Sequence, residues 1–277
     1  QKNQTNKKNM LEMAKSYELD WREHIKIKKF CDKTKIQYMA SCFDKKSVDF
    51  YLEKLKSDTI KIASSEIDNL RLLKYINKKS KNVILSTGMA NFKEIEKAIK
   101  ILNKIKKLTI MQCTSLYPTP NKEVNLKIIK KIKKKFNLTV GLSDHTLSDI
   151  SSLVSIGLGA KVIEKHFTIN KKLKGPDHSM SLNPKELKRF IKNIRIAEEC
   201  MGNEIDKPTK KEKKLIKYSR RGLFTSKNIK KGKKITTNDI VYKRPCVYMP
   251  INHEIKIVGK IIKQNLKKGE PFLKKYF

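Results

Sequence analysis

Six short apolar runs alternate with amphipathic stretches along most of the chain, and this alternation limits the fold more than any other feature. The runs are Ile36–Phe43, Thr59–Ser64, Val83–Thr87, Leu108–Thr114, Thr139–Ser143 and Lys161–Phe167. They have strand length and are bounded by polar residues. Between them, apolar residues recur at helical spacing. Asn91 can cap one helix with Glu94 completing a capping box, and Ile95, Ala98, Ile99, Leu102 and Ile105 follow on one face. Leu126, Ile129, Ile132 and Phe136 form a second stripe. Asn183-Pro184-Lys185-Glu186 opens a third helix, which runs to about Met201 and stops at Gly202. Repeated strand–helix units predict parallel strands joined by right-handed crossovers.

An open sheet built for a nucleotide needs a Gly-rich loop after its first strand. Ser86-Thr87-Gly88-Met89 offers one Gly. Polar residues instead collect at the C-terminal end of nearly every run: Ser41, Ser64 with Glu66, Ser86 with Thr87, Thr114 with Ser115, Ser143 with Asp144 and His145, and Glu164 with His166. In a (β/α)8 TIM barrel that rim carries the chemistry. The expected fold is therefore α/β, a (β/α)8 barrel over residues 1–202. Six of its eight strands are visible, and the closing helix is present. The missing pair is expected at the N-terminus, because the chain starts at Gln1 with no Met before Met10. A charged stretch containing Pro208 reads as a linker over 203–217. Residues 218–277 read as a small, mostly β domain with an internal echo. Asn228-Ile-Lys-Lys-Gly232 and Asn265-Leu-Lys-Lys-Gly269 lie 37 residues apart, each followed by an apolar residue three positions on, Ile235 and Phe272.

The formal charge of +38 would suit nucleic acid, but its distribution argues against that. Of 65 basic residues only seven are Arg, the residue that reads bases and phosphates bidentately, and Lys is spread over almost every helix and loop. The expectation is a Lys-biased surface that steers an anionic substrate, with neither nucleic acid nor membrane as partner. No run approaches the length of a membrane span. Cys31, Cys42, Cys113, Cys200 and Cys246 follow no metal-binding spacing and read as reduced thiols in a cytoplasm.

His145 and His166 end consecutive parallel strands. Adjacent strands lie about 4.8 Å apart, so the two imidazoles can share one divalent ion of the Mn, Fe, Co or Zn type. Asp144 and Glu164 lie close by, and Glu164 shares strand parity with His166, so it too should face inward. Lys61, Ser64, Ser86 and Ser143 bring an ammonium and hydroxyls to one mouth, as a phosphate requires. Lys61 has the opposite parity to Ser64 and Glu66, so the end of that strand must be irregular. Cys113 reads as core. Arg244, rare in so Lys-rich a chain, offers a planar fork for a carboxylate or carbonyl.

Lys61-Ile-Ala-Ser-Ser-Glu66, Ile84-Leu-Ser-Thr-Gly-Met89, Gln112-Cys-Thr-Ser-Leu-Tyr-Pro-Thr-Pro120, Gly141-Leu-Ser-Asp-His-Thr146, Glu164-Lys-His-Phe167 and Gly175-Pro-Asp-His178 together resemble the sialic acid synthase family, which joins phosphoenolpyruvate to an N-acetylated hexose. The tail, with Lys243-Arg-Pro245, resembles that family's antifreeze-like (SAF) domain. The resemblance implies a domain-swapped homodimer and a divalent metal, usually Mn2+. It implies metal ligands at His145 and His166, and phosphoenolpyruvate contacts at Lys61, Ser64, Ser86, Ser115 and Ser143. Glu66, Tyr117 and Asp177 match positions around the sugar, and Glu164 matches a carboxylate near the reacting carbons. Either Glu66 or Glu164 could stabilise the charge that develops there. Arg244 matches a residue that reaches the partner's site. The family's front strands, the second ending Lys-x-Gln, have no counterpart except Gln1 or Gln4. Another phosphoenolpyruvate–aldose synthase, an inactive truncated remnant and a Lys-rich nucleic-acid binder are the alternatives. The motifs leave open whether the sugar is sialic, legionaminic or other in type, and whether it is phosphorylated.

Overall fold

The computed structural model describes Glu12, Lys15 and residues 17–277; Gln1 and Gln4 lie outside the described residues. The chain divides into two compact units, 1–202 and 203–277.

In the first unit, five parallel strands run in sequential order: β1 (Thr59–Ile62), β2 (Asn82–Ser86), β3 (Lys107–Cys113), β4 (Thr139–Asp144) and β5 (Val162–Lys165). Sequential order of parallel strands with helical crossovers gives the curled wall of a (β/α) barrel. Side-chain alternation divides each strand between two faces. Ile60, Ile62, Val83, Leu85, Leu108, Ile110, Val140 and Leu142 pack outward in one core cluster with Leu73, Ile76, Ala98, Ile129 and Ile132 of the surrounding helices. Those helices are α3 (Leu70–Lys79), α4 (Phe92–Ile101) and α5 (Lys127–Phe136), which follow α1 (Trp21–Lys33) and the short α2 (Lys45–Asp49). Each fully buried Ile or Leu contributes about 1.5–3 kcal/mol. The other face of the strands carries the polar residues of the rim.

Local signals act as expected. Asn91 and Glu94 form a reciprocal capping box on α4, and Asn183 and Glu186 do the same on α7 (Pro184–Met201). The latter follows α6 (Ile150–Gly157). A 3-10 turn at Ser64–Glu66 begins just after β1 and supplies the irregularity that the parity of Lys61 and Ser64 demands.

Two expectations need correction. Ile36–Phe43 does not form a strand; it makes one parallel bridge, Ser41 to Lys61, with the Cys42 amide donating to the Lys61 carbonyl. Ile36 and Phe43 stay exposed, so the run lacks the two-sided burial that would extend a ladder. The stretch read as a linker, 203–217, is helical from Lys210 on, in α8 (Lys210–Ser219), which is started by a Thr209–Glu212 capping box and runs past the stretch.

The second unit has a small regular sheet, β6 (Gly222–Thr225) antiparallel to β7 (Ile240–Lys243), and ends with the short α9 (Glu254–Ile257) and a 3-10 turn. The two echoes pair with each other. Ile229 and Leu266 exchange both backbone hydrogen bonds at 2.8 Å. The Asn265 side chain accepts from the Lys231 amide, and Asn228 reciprocally from the Lys268 amide, each at 2.8 Å. Gly232 and Gly269 each turn the chain at φ 87°, a conformation that favours glycine. Ile235 and Phe272 then meet in the core of the unit.

Candidate functional site

The inward face of the curled sheet opens into a cavity of about 430 Å³ at the C-terminal strand ends. It is lined by Ser41, Lys61, Ser64, Ser86, Cys113, Ser115, Tyr117, Ser143, His145, Glu164 and His166, with Ala63, Ser65 and Met89. The sheet register explains much of this convergence. Ser143 stands beside Glu164 and Cys113 beside Ser143, so a single row of inward positions crosses three strands.

Lys61 is buried, with its ammonium 3.6 Å from one Glu164 oxygen and donating to the Ile62 carbonyl at 3.2 Å. Burial lowers the Lys61 pKa, against the opposing pull of Glu164. The other Glu164 oxygen accepts from the Ser143 hydroxyl at 2.7 Å. Ser64 accepts from the Gly88 amide at 2.9 Å. The Ser86 hydroxyl is buried without a hydrogen-bond partner. A buried unpaired hydroxyl is costly unless a ligand completes it, and this one lines the same cavity as the buried Lys61.

The imidazoles of His145 and His166 lie 5.2 Å apart at 77°, and the Tyr117 ring lies 4.2 Å from His145. His145 Nδ1 donates to the Thr114 carbonyl at 3.0 Å, which leaves the Nε2 lone pair available. His166 Nδ1 faces Asp177 at 3.6 Å, and the other Asp177 oxygen is buried and unpartnered. Burial lowers the His166 pKa. For His145, burial acts in the same direction, but contacts to Cys113 and the Thr114 carbonyl outweigh it and the pKa rises. Burial pushes the Tyr117 phenol up to about 12, so it stays a neutral donor. Among the described residues, no three His, Cys, Asp or Glu side chains are grouped to hold a metal ion. The two imidazoles, with the His145 Nε2 lone pair free of the Thr114 contact, are neutral nitrogen donors of the kind that divalent transition metals accept.

The structure thus brings Lys61, Ser64, Ser86, Ser115, Tyr117, Ser143, Glu164, His145 and His166 to one cavity, and sets Asp177 against His166. Glu66 is not in the cavity lining; its carboxylate accepts from Asn69 at 2.8 Å. Asp144 faces away from the cavity and pairs with Lys165 at 3.0 Å. Arg244 is exposed at the end of β7 in the second unit.

Three residues at the site carry more than the sequence reading gave them: Ser41 was named only as part of the rim, Cys113 only as core, and Gly88 adjoins the wall without lining it. Ser41 enters through its bridge to Lys61. Cys113 is buried, as a core residue would be, but it faces the cavity: burial raises its thiol pKa, and the contact with His145 more than reverses that. Its place at the inward end of β3, level with Ser143, was the available signal. Gly88 was quoted only within a motif. A Cβ there would lie 2.2 Å from the Ser115 hydroxyl and 2.9 Å from that of Ser64, so the lack of a side chain lets the two hydroxyls approach.

The family model described as NeuB family matches residues 1–206, and that of the SAF domain matches 220–276. The chain is 41% identical over 273 residues to an N,N'-diacetyllegionaminic acid synthase of Campylobacter jejuni, covering 97% of this chain and 81% of that protein. It is 32% identical to a pseudaminic acid synthase of the same species, covering 95% and 77%. Among solved structures, the N-acetylneuraminic acid synthetase of Leptospira borgpetersenii in complex with citrate superposes with a TM-score of 0.72 at 30% identity, covering 76% of this chain and 74% of that one.

Proposed function

The chain belongs to the NeuB family, and from that premise we propose that it condenses phosphoenolpyruvate with an N-acetylmannosamine-type sugar to give a nonulosonic acid and phosphate. The observation that carries this reading is the cavity itself. A buried Lys61, a row of serine hydroxyls with Ser86 unpaired, and two imidazoles share it with a carboxylate. The product is of the legionaminic type, a reading supported by 41% identity to the legionaminic synthase against 32% to the pseudaminic one.

Lys61, Ser64, Ser86, Ser115 and Ser143 hold the phosphate and carboxylate of phosphoenolpyruvate by charge-assisted hydrogen bonds. His145 and His166 hold a divalent ion, most simply Mn2+, which when bound supplies Lewis acidity toward the sugar's aldehyde oxygen. Tyr117 and Asp177 orient the sugar, and Glu66 joins them there only as the family resemblance implies. The enol carbon attacks the aldehyde carbon, and positive charge develops at the carbon that bears the phosphate ester. Glu164 stabilises that charge and accepts a proton from the water that adds there. The carbon–oxygen bond to phosphate then breaks as the added hydroxyl gives its proton to the departing phosphate, leaving a ketone, and the proton taken by Glu164 goes to the alkoxide formed from the aldehyde oxygen. Glu164 takes this role in preference to Glu66 because it lines the cavity.

We assign the chain to a homodimer in which Arg244 of one protomer serves the partner's cavity, as the family resemblance implies. A cytoplasmic location is supported by five free cysteines. Among the described residues, no helix is long and apolar enough to cross a membrane. Phosphate release that requires phosphoenolpyruvate, sugar and metal together tests the reaction. In Glu164→Gln, turnover should fall by at least 100-fold with little change in the KM for phosphoenolpyruvate. Release without the sugar, or full turnover in the variant, would overturn the assignment.

A further inference from the structure

Behind the two imidazoles lies a buried polar cluster that the reaction does not use. Asp144 and Lys165 are the last register partners of β4 and β5, so the backbone ladder ends with them. His145 and His166 come next in sequence, beyond the ladder. On the outer face, Asp144 Oδ2 meets Lys165 Nζ at 3.0 Å, with side-chain exposures of 0% and 5%. The same oxygen accepts from Ser151 at 2.9 Å and Ser152 at 2.6 Å, both on the first turn of α6. Asp144 Oδ1 accepts from the Thr146 amide at 2.8 Å. Lys165 donates to the Thr146 carbonyl at 2.6 Å and the Ser148 carbonyl at 3.1 Å. The residues on both sides of His145 are thereby tied to the residue just before His166.

A buried ion pair is a weak source of stability, since apolar residues of similar volume often do as well or better. Its placement says more. It clamps two strand tips at the point where main-chain pairing stops and where the spacing of two ligands has to be set. We infer that Asp144 and Lys165 are positioning residues that hold His145 and His166 at the separation a shared divalent ion needs; this rests on the metal reading proposed above.

The test uses the whole chain with Mn2+ alone as probe, and reads Mn2+ affinity by electron paramagnetic resonance alongside the thermal midpoint. Lys165→Arg retains the charge and should bind Mn2+ like the unaltered chain. The double variant Asp144→Leu/Lys165→Met removes both charges and should bind on the order of 10–100-fold more weakly while remaining folded, the range typical when groups that orient metal ligands are lost. If the double variant does not fold, Ser152→Ala decides: weaker Mn2+ binding at an unchanged midpoint supports the inference, and unchanged binding overturns it. A folded double variant with unaltered affinity would overturn it while leaving the metal reading intact. An unaltered chain that binds no Mn2+ would overturn both.

Discussion

Replacing Gly88 by Ala should separate substrate binding from stability. The new Cβ would stand 2.2 Å from the Ser115 hydroxyl, 2.9 Å from that of Ser64 and 3.1 Å from the Cys113 sulfur. Contacts that short force a movement. The backbone need not move, because Gly88 is not among the glycines with positive φ and Ala can adopt its conformation. The hydroxyls are the mobile partners, each able to turn about one side-chain bond. Displacing a serine from its preferred rotamer costs about 0.5–1.5 kcal/mol, so the fold should survive. The substrate loses more. A hydrogen bond to a charged group is worth about 1.5–3 kcal/mol, and one lost contact corresponds to a 10–100-fold change, to order of magnitude. The KM for phosphoenolpyruvate should rise by about that factor in steady-state phosphate release, while the urea midpoint moves little. An unchanged KM in a folded Gly88→Ala protein would refute the placing of Ser64 and Ser115 on the phosphate. A collapse of the urea midpoint would refute the claim that the hydroxyls, rather than the backbone, yield.

His145→Ala and His166→Ala should each weaken Mn2+ binding and turnover together, by more than the roughly 10–100-fold seen when only an orienting group is lost; calorimetry and initial rates check this. Mixing inactive Arg244→Ala and His145→Ala chains should restore activity if Arg244 acts on the partner's cavity, because one cavity of the heterodimer then carries neither lesion; mass-verified heterodimers that stay inactive would refute it. Asp239, whose side chain is fully buried, gives a pH test. Burial alone would raise its pKa, but Lys233, Thr236 and Lys227 outweigh that and hold it well below the usual carboxylate range. A folded value below the unfolded value of about 3.9 means that its stabilisation is complete above about pH 5 and disappears as pH falls through the folded value. The stability gap between the unaltered chain and Asp239→Asn should therefore narrow on acidification in urea titrations, and a constant gap would contradict this.

Much of the site was legible because strand parity and rim position are one-dimensional facts. Ser143, Glu164, His145 and His166 follow from alternation along β4 and β5. The same rule, applied one residue back, sends Asp144 and Lys165 to the opposite face, a consequence easily missed when all polar residues at a strand end are grouped together. Cys113 looked like core because β3 is largely buried and carries Leu108, Ile110 and Met111, and the lateral register with Ser143 brings it to the cavity. The helix inside the stretch read as a linker has a local cause. Pro208 immediately precedes an N-cap Thr209 with Glu212 at the third helical position, which is a start signal. Ile36–Phe43 has the composition of a strand, but its exposed Ile36 and Phe43 show that composition does not supply a second neighbour. The echo around Asn228 and Asn265 was visible as repetition, while the antiparallel pairing of the two copies with each other required coordinates.

The most direct test of the central claim follows the oxygen that bridges carbon and phosphorus in phosphoenolpyruvate. With that position labelled by heavy oxygen, the chain is incubated with an N-acetylmannosamine-type sugar and Mn2+, and both products are weighed by mass spectrometry. Carbon–oxygen cleavage at the Lys61–Glu164 cavity predicts a nonulosonic acid free of label and phosphate that carries it. Label retained in the sugar acid, or labelled phosphate with no condensed product, would contradict the account.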